Sequence, residues 1–323
     1  LLTSPKQGIL EINEKIKTFK CKNSFNGSIG LGQTRLSIND LSDSGFQPLS
    51  NKEKTCFITH GGEIYNYKSL RNNLEDKGYI FTTNSDSEVI IHIYTEYGIE
   101  GFSKLSGPFA FALLDLRKDV LILGRDHFGE RPLYYYPSKK GLFYANELKS
   151  LVDYLDIDIS QISEEAMASY LNFGQISAPY TWYKKVFKLC PGEILVYNFH
   201  SEEMRSHCLN YWTAEDQRKN NLNFQDAQDK LDEILLKSVE EASLADKNIS
   251  KNLLLSGGID SSLAAIYLTE AKVRFNNLTM VNESLGKLSE EYRLASIIHK
   301  LTKAKNHKII PIKKRYIQDS MWE

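Results

Sequence analysis

Leu253-Leu-Leu-Ser-Gly-Gly-Ile-Asp-Ser-Ser262 joins an apolar run to a hydroxyl-rich helix start through two glycines. Leu253 to Leu255 read as a buried parallel strand, and Gly257-Gly258 as a turn tight enough for backbone amides to face an anion. Ser261 and Ser262 then open a helix, where unpaired amides and the positive end of the helix dipole attract negative oxygens. The stretch lacks the Gly-x-x-x-x-Gly-Lys-Ser/Thr order of a Walker loop. It is therefore expected to hold a pyrophosphate rather than to present a terminal phosphoryl group for transfer. A plain Gly-Gly turn between strand and helix would not need Ser256, Asp260, Ser261 and Ser262 together.

The surrounding rhythm supports that reading. Helix Phe224 to Ala242, strand Asn252 to Leu255, helix Ser262 to Ala271, strand Asn277 to Val281, helix Ser289 to Thr302 and strand His307 to Ile312 alternate. This is the pattern of βαβ units, and it predicts an α/β doubly wound parallel sheet over residues 224–323. Ligands of such sheets bind beyond the carboxyl ends of the strands, where the Ser256 loop falls. Upstream, from Ile29 to Tyr144, short strands alternate with turns, with amphipathic helices at Tyr67 to Lys77 and Asp86 to Tyr97. Phe109 to Asp115, Val120 to Gly124 and Pro132 to Tyr136 are β-rich and bounded by turn signals, so antiparallel pairing is expected. A helix is predicted from Ser163 to Leu171. The stretch from His200 to Asn223 is polar and irregular, giving a first domain over 1–200, a linker over 201–223 and the second domain from 224.

A chain of 323 residues is long for one domain, and 41% hydrophobic with 25% charged residues is ordinary for a globular protein. Forty basic against 41 acidic residues leave no global field to recruit nucleic acid or a membrane, so small-molecule partners are expected. Cys21, Cys56, Cys190 and Cys208 show no CxxC spacing and read as free thiols of a reducing compartment. No apolar run approaches the roughly 20 residues that span a bilayer, which makes the cytoplasm the expected location. The chain starts at Leu1 and stops at Trp322-Glu323 within a helix-like stretch, which reads as a fragment.

In the first domain, Gly32-Gln-Thr-Arg-Leu-Ser-Ile-Asn-Asp40, Gly61-Gly-Glu-Ile-Tyr-Asn-Tyr67 and Asn84-Ser-Asp-Ser-Glu-Val89 together suggest an amino-acid pocket. Arg35 can clamp an α-carboxylate with its planar fork, Glu63 and Asp86 can accept from an α-ammonium, and Gly61-Gly62 lets backbone approach a substrate. Each alone also reads as surface charge or a turn glycine.

The Ser256 loop resembles the Ser-Gly-Gly-x-Asp-Ser loop of the ATP pyrophosphatases, which cleave ATP to AMP and pyrophosphate. The first-domain series continues through Gly107 to Leu113, Gly124-Arg-Asp126, Phe128-Gly129, Pro132-Leu-Tyr134, Ala145-Asn-Glu-Leu-Lys149 and Leu189-Cys-Pro-Gly-Glu193. In order and spacing it resembles the glutamine-dependent asparagine synthetase family. The resemblance implies an α+β Ntn-hydrolase-like αββα sandwich that frees ammonia from glutamine, followed by an adenylating ATP pyrophosphatase domain. There ATP and aspartate would form β-aspartyl-AMP, which ammonia converts to asparagine. Glutamine contacts carry over to Arg35, Leu36, Ile38, Asp40, Gly61, Gly62, Glu63 and Asp86. ATP contacts and chemistry carry over to Leu255, Ser256, Gly257, Gly258, Asp260, Ser261, Ser262 and Val281, with Asp260 helping to hold Mg2+ against pyrophosphate. A homodimer is implied by the resemblance alone.

Three departures stand beside these matches. The family's glutaminase nucleophile is an amino-terminal cysteine, and residue 1 here is Leu, so the chain as given is expected not to hydrolyse glutamine. Cys21 is not a substitute, since an internal cysteine lacks the free α-amine. The family's Arg-Gly-Pro-Asp segment is absent before Gly30, and Gly61 stands where the family has Asn. Losing that side-chain donor would cost roughly 3 to 4 kcal/mol of transition-state stabilisation. A related architecture offers an alternative: in β-lactam synthetases and lasso-peptide cyclases the glutaminase cysteine is lost and a substrate amine attacks the acyl-adenylate. His60 reads as a strand-end residue, and Tyr134 to Tyr136 as packing.

Overall fold

The computed structural model describes residues 17–20, 28–34, 38–40, 42–139, 141–209, 222–245, 249–282 and 289–312. The chain divides into two compact units, Leu1–Gln217 and Arg218–Glu323. In the first, the strands are β1 (Lys17–Lys20), β2 (Ser28–Leu31), β3 (Leu49–Ser50), β4 (Cys56–Gly62), β5 (Phe109–Asp115), β6 (Val120–Arg125), β7 (Tyr134–Ser138), β8 (Gly141–Ala145), β9 (Phe187–Lys188), β10 (Glu193–Asn198) and β11 (Met204–Cys208). The helices are α1 (Tyr67–Asp76), α2 (Ser87–Tyr97), α3 (Leu148–Leu155) and α4 (Glu164–Phe173).

Six strands form an antiparallel sheet in the order β11-β10-β6-β5-β4-β3, and β8-β7-β9 form a second sheet. Every residue of β5 and β6 is buried, which explains why Phe109-Ala-Phe-Ala-Leu-Leu is an unbroken apolar run: both faces of the strand meet other layers. Phe109, Phe111 and Leu113 point to one face, packing with Leu74 of α1 and Val89, Ile90 and Ile93 of α2. Ala110, Ala112 and Leu114 point to the other, toward Tyr135, Leu142 and Tyr144 of the second sheet. Residue 143 of β8 faces away from the first sheet, and there the Phe143 ring meets Tyr154 of α3 at a centroid distance of 6.0 Å. The layers therefore run helix, sheet, sheet, helix. Burying one such Phe or Leu contributes about 1.5 to 3 kcal/mol, so the two cores flanking β5 hold the stack together.

Helix α4 begins where its cap dictates: the Ser163 side chain accepts the Ala166 N–H, and Gly174, at φ +69°, ends the helix. One expectation fails nearby. The stretch 201–223, read as linker, contains β11, which pairs with β10 from Glu193↔Cys208 to Tyr197↔Met204. Its residues are mostly exposed, so the few apolar side chains that suggested a linker are those of a solvated edge strand.

The second unit comprises α5 (Phe224–Ala242), β12 (Lys251–Leu254), α6 (Ile259–Glu270), β13 (Phe275–Asn282), α7 (Glu290–Leu301) and β14 (His307–Ile312). The three strands are parallel in the order β12-β13-β14. Along β13 the residues Phe275, Asn277, Thr279 and Val281 are buried while Met280 and Asn282 are exposed. Ala265 of α6 and Ala295 of α7 pack with Leu255 and Phe275 on the buried face. Leu254 and Met280, on the opposite face, are 59% and 50% exposed. Among the described residues the sheet is thus covered on one side, not on both as a doubly wound sheet would be. Helix α5 packs on α6, where the Tyr267 hydroxyl donates to Asp232 Oδ1 at 2.5 Å.

Candidate functional site

Gly61-Gly62 close β4 at its carboxyl end, opposite Ala110 and Phe109 of β5. Gly62 has φ +125°, and a Cβ there would lie 2.0 Å from the Pro108 carbonyl oxygen, so only glycine fits. Gly61 is different. A Cβ at Gly61 would meet Asn146 Nδ2 and Gln33 Nε2 at 3.9 Å each, which is ordinary contact.

Three separated segments converge beyond this strand end. The Asn39 amide donates to Glu63 Oε2 through a very short hydrogen bond. Asp40 accepts from the Asn84 N–H at 3.0 Å and from the Ser42 N–H at 2.9 Å and its hydroxyl at 2.6 Å. Asp86 Oδ2 accepts the Ile64 N–H at 2.8 Å. Residues 38–40, 61–64 and 84–86 are thereby tied into one cluster with Glu63 half-buried and Asp40 and Asp86 buried. Ile38 is half-buried; Arg35 and Leu36 fall outside the described residues. Burial pushes the Tyr67 hydroxyl pKa up, and the charges of Asp86 and Glu63 push it further. The same acidic field favours an ammonium group.

His60 precedes the glycines inside β4. Its Nδ1 lies 2.8 Å from the Ser87 hydroxyl, and its Nε2 is buried with no partner among the described residues. Burial lowers its pKa, which keeps the ring neutral at pH 7 and suits a structural residue rather than a proton shuttle. The sequence reading assigned no role to Gln33, Gln47 or Asn146. Gln33 and Gln47 both donate to the His60 carbonyl, at 2.9 and 3.0 Å. Hydrophobic patterning carries no sign of such side chain to backbone bonds across 27 and 13 residues.

In the second unit, Ser256 and Gly257 follow β12, and Gly257 takes φ +83°. Gly258 is the residue before α6, so Ile259, Asp260 and Ser261 form its first turn, three residues earlier than the sequence suggested. That helix start has no side-chain cap, and the N–H groups of its first turn have no intrahelical acceptor. Within the loop, Ser256 Oγ lies 3.0 Å from Ser261 Oγ and accepts the Gly258 N–H at 3.2 Å. Ser256, Gly258 and Asp260 are exposed, and Ser261 and Ser262 half-buried. The loop is open to solvent. Leu255 is buried, its carbonyl taken by the Thr279 hydroxyl at 2.7 Å, and Val281 is buried near the carboxyl end of β13.

The glutamine amidotransferase domain family matches residues 21–212. The chain belongs to that family. It is 38% identical over 241 residues to glutamine-hydrolyzing asparagine synthetase 1 of Bacillus subtilis (strain 168), covering 72% of this chain and 36% of that protein. To glutamine-hydrolyzing asparagine synthetase B of Escherichia coli (strain K12) it is 37% identical over 234 residues, covering 72% and 36%. To amidase chry2 of Gibberella zeae it is 34% identical over 245 residues, covering 75% and 35%. The chain thus spans about a third of the length of these curated relatives. A solved glutamine phosphoribosylpyrophosphate amidotransferase from B. subtilis is a looser likeness, with a TM-score of 0.40 at 17% identity, covering 87% of this chain and 66% of that one.

Proposed function

We propose that this protein is a glutamine-dependent, AMP-forming amide ligase of the asparagine synthetase kind. Membership of the amidotransferase family supports the glutamine half. The observation that carries the nucleotide half is the open Ser256–Ser261 loop, with an uncapped helix start at the carboxyl ends of parallel strands. In the first unit, Glu63 and Asp86 would hold the α-ammonium of glutamine and Arg35 its α-carboxylate, with Leu36, Ile38 and Asp40 shaping the pocket.

In the second unit the amides of Ile259, Asp260 and Ser261, with the hydroxyls of Ser256, Ser261 and Ser262, would hold phosphate oxygens. The acid substrate, aspartate by the resemblance, attacks the α-phosphorus of ATP and expels pyrophosphate, leaving an acyl-adenylate. Ammonia then attacks the acyl carbon and expels AMP, forming the amide. Mg2+ would neutralise the pyrophosphate oxygens when bound. Among the described residues no group of three His, Cys, Asp or Glu is placed to hold a metal. Exposed Asp260 is the carboxylate the loop would offer to an ion carried chiefly by phosphate and water. Val281 would face the adenine. Among the described residues no helix is long and apolar enough to cross a membrane. On this proposal the protein is a cytoplasmic homodimer that acts on small molecules.

Exchange of labelled pyrophosphate into ATP tests the reading. Aspartate-dependent exchange that Asp260→Ala abolishes supports it. Exchange that needs a larger amino acid or peptide in place of aspartate would move the protein to the amine-attack synthetases, and no exchange with any acid would remove the adenylation step.

A further inference from the structure

Gly61 leaves an open position at the carboxyl end of β4, and two carboxamides border it. Asn146 Nδ2 and Gln33 Nε2 each stand 3.9 Å from the point where a residue 61 Cβ would be. Each is anchored by one N–H: Asn146 donates to the Pro132 carbonyl at 2.9 Å, and Gln33 to the His60 carbonyl at 2.9 Å. A carboxamide nitrogen carries two N–H groups, and the second one of each has no acceptor among the described residues. The anchors come from rigid neighbours. Pro132 lies just before β7, and His60 is inside β4 with its carbonyl shared between Gln33 and Gln47.

We infer that Asn146, seconded by Gln33, supplies the side-chain N–H donors that recognise the substrate's amide carbonyl, in place of a side chain at Gly61. The inference rests on the glutamine-binding reading and deepens it. A carbonyl oxygen entering this position from the Glu63–Asp86 side meets donors already held in place, and the same donors would strengthen their grip as negative charge develops on that oxygen. The departure at Gly61 is then a relocation of the donor from β4 to the residue after β8, not its loss.

Two ligands and one rescue test it by calorimetric titration. L-Glutamine and L-2-aminopentanoate share the α-amino acid group and a three-carbon side chain, but only glutamine carries the amide. In the wild-type protein glutamine binds more tightly. Asn146→Ala lowers glutamine affinity by about tenfold and leaves 2-aminopentanoate unchanged, the size expected for one lost hydrogen bond. Asn146→Asp, nearly isosteric but without N–H groups, behaves the same way. Adding Gly61→Asn to Asn146→Ala restores most of the preference, because the position is open and φ at residue 61 is not left-handed. A wild-type preference that survives in Asn146→Ala and Asn146→Asp overturns the inference while leaving glutamine binding intact. Wild-type protein that binds neither ligand overturns the glutamine reading itself.

Discussion

The side-chain amide of Gln47 pairs with the backbone of His60 as a neighbouring strand would: its Oε1 accepts the His60 N–H at 2.5 Å and its Nε2 donates to the His60 carbonyl at 3.0 Å. The β3–β4 register places Leu49 opposite Ile58, and continuing it by two residues brings Gln47 opposite His60. The side chain therefore extends the ladder past the point where backbone pairing stops. What it steadies is the residue immediately before Gly61-Gly62.

Gln47→Leu keeps the volume and removes both bonds. It leaves the buried His60 N–H unpaired, which should cost about 1 to 3 kcal/mol in urea unfolding. Glutamine affinity should fall with it, whereas a purely packing role for Gln47 would leave affinity unchanged in the folded variant.

Glu88 ties the stability of the first unit to acid pH. Burial alone would raise its pKa, but the N–H and hydroxyl groups of Thr82 and Thr83 and the His92 ring outweigh burial and hold it down to about 2. A carboxyl depressed on folding contributes stability above its ordinary value of 4.5 and loses it as pH falls toward about 2. Wild-type melting temperature should therefore drop across that window, and the drop should be shallower in Glu88→Gln, which starts less stable at pH 7.

Gly257→Ala probes the second unit. The backbone there has φ +83°, and the new Cβ would lie 2.5 Å from Leu294 Cβ and 2.8 Å from the Ala295 nitrogen of α7. The loop must move away from α7, so pyrophosphate exchange should be lost while glutamine binding by the first unit is retained. Gly258→Ala, whose Cβ would meet only Ser256 Oγ at 3.4 Å, should keep measurable exchange.

Thiol labelling should separate two cysteines. Burial, then the nearby Asp115 carboxylate, push the Cys56 thiol up to about 11, so at pH 8 it stays protonated and enclosed. Cys208, exposed on edge strand β11, should be alkylated within minutes, and Cys56 only on unfolding. Peptide mapping by mass spectrometry reads both.

Much of this was legible in the sequence because its signals are local. Helix Phe224–Ala242 and strands Phe109–Asp115 and His307–Ile312 fall where periodicity put them, and Gly257 takes the left-handed turn its motif demands. Glu63 and Asp86 were marked singly by charge beside glycine or polar turns, and Asp40 by the family resemblance; the structure supplies the Asn39–Glu63 and Asp40–Asn84 bonds that join their segments. What stayed hidden depends on distant chain. Edge strand β11 exists because β10 offers it a ladder, and Gln33, Gln47 and Asn146 matter through bonds to His60 and Pro132 that no spacing along the chain encodes.

A crystal structure of the protein grown with L-glutamine tests the proposed glutamine site over residues 38–40, 61–64 and 84–86. The ligand's ammonium should lie within hydrogen-bond distance of the Glu63 and Asp86 carboxylates and its amide beside Gly61 and Asn146. Glutamine bound elsewhere, or lying there with its carboxylate against Glu63 and Asp86, would overturn that assignment.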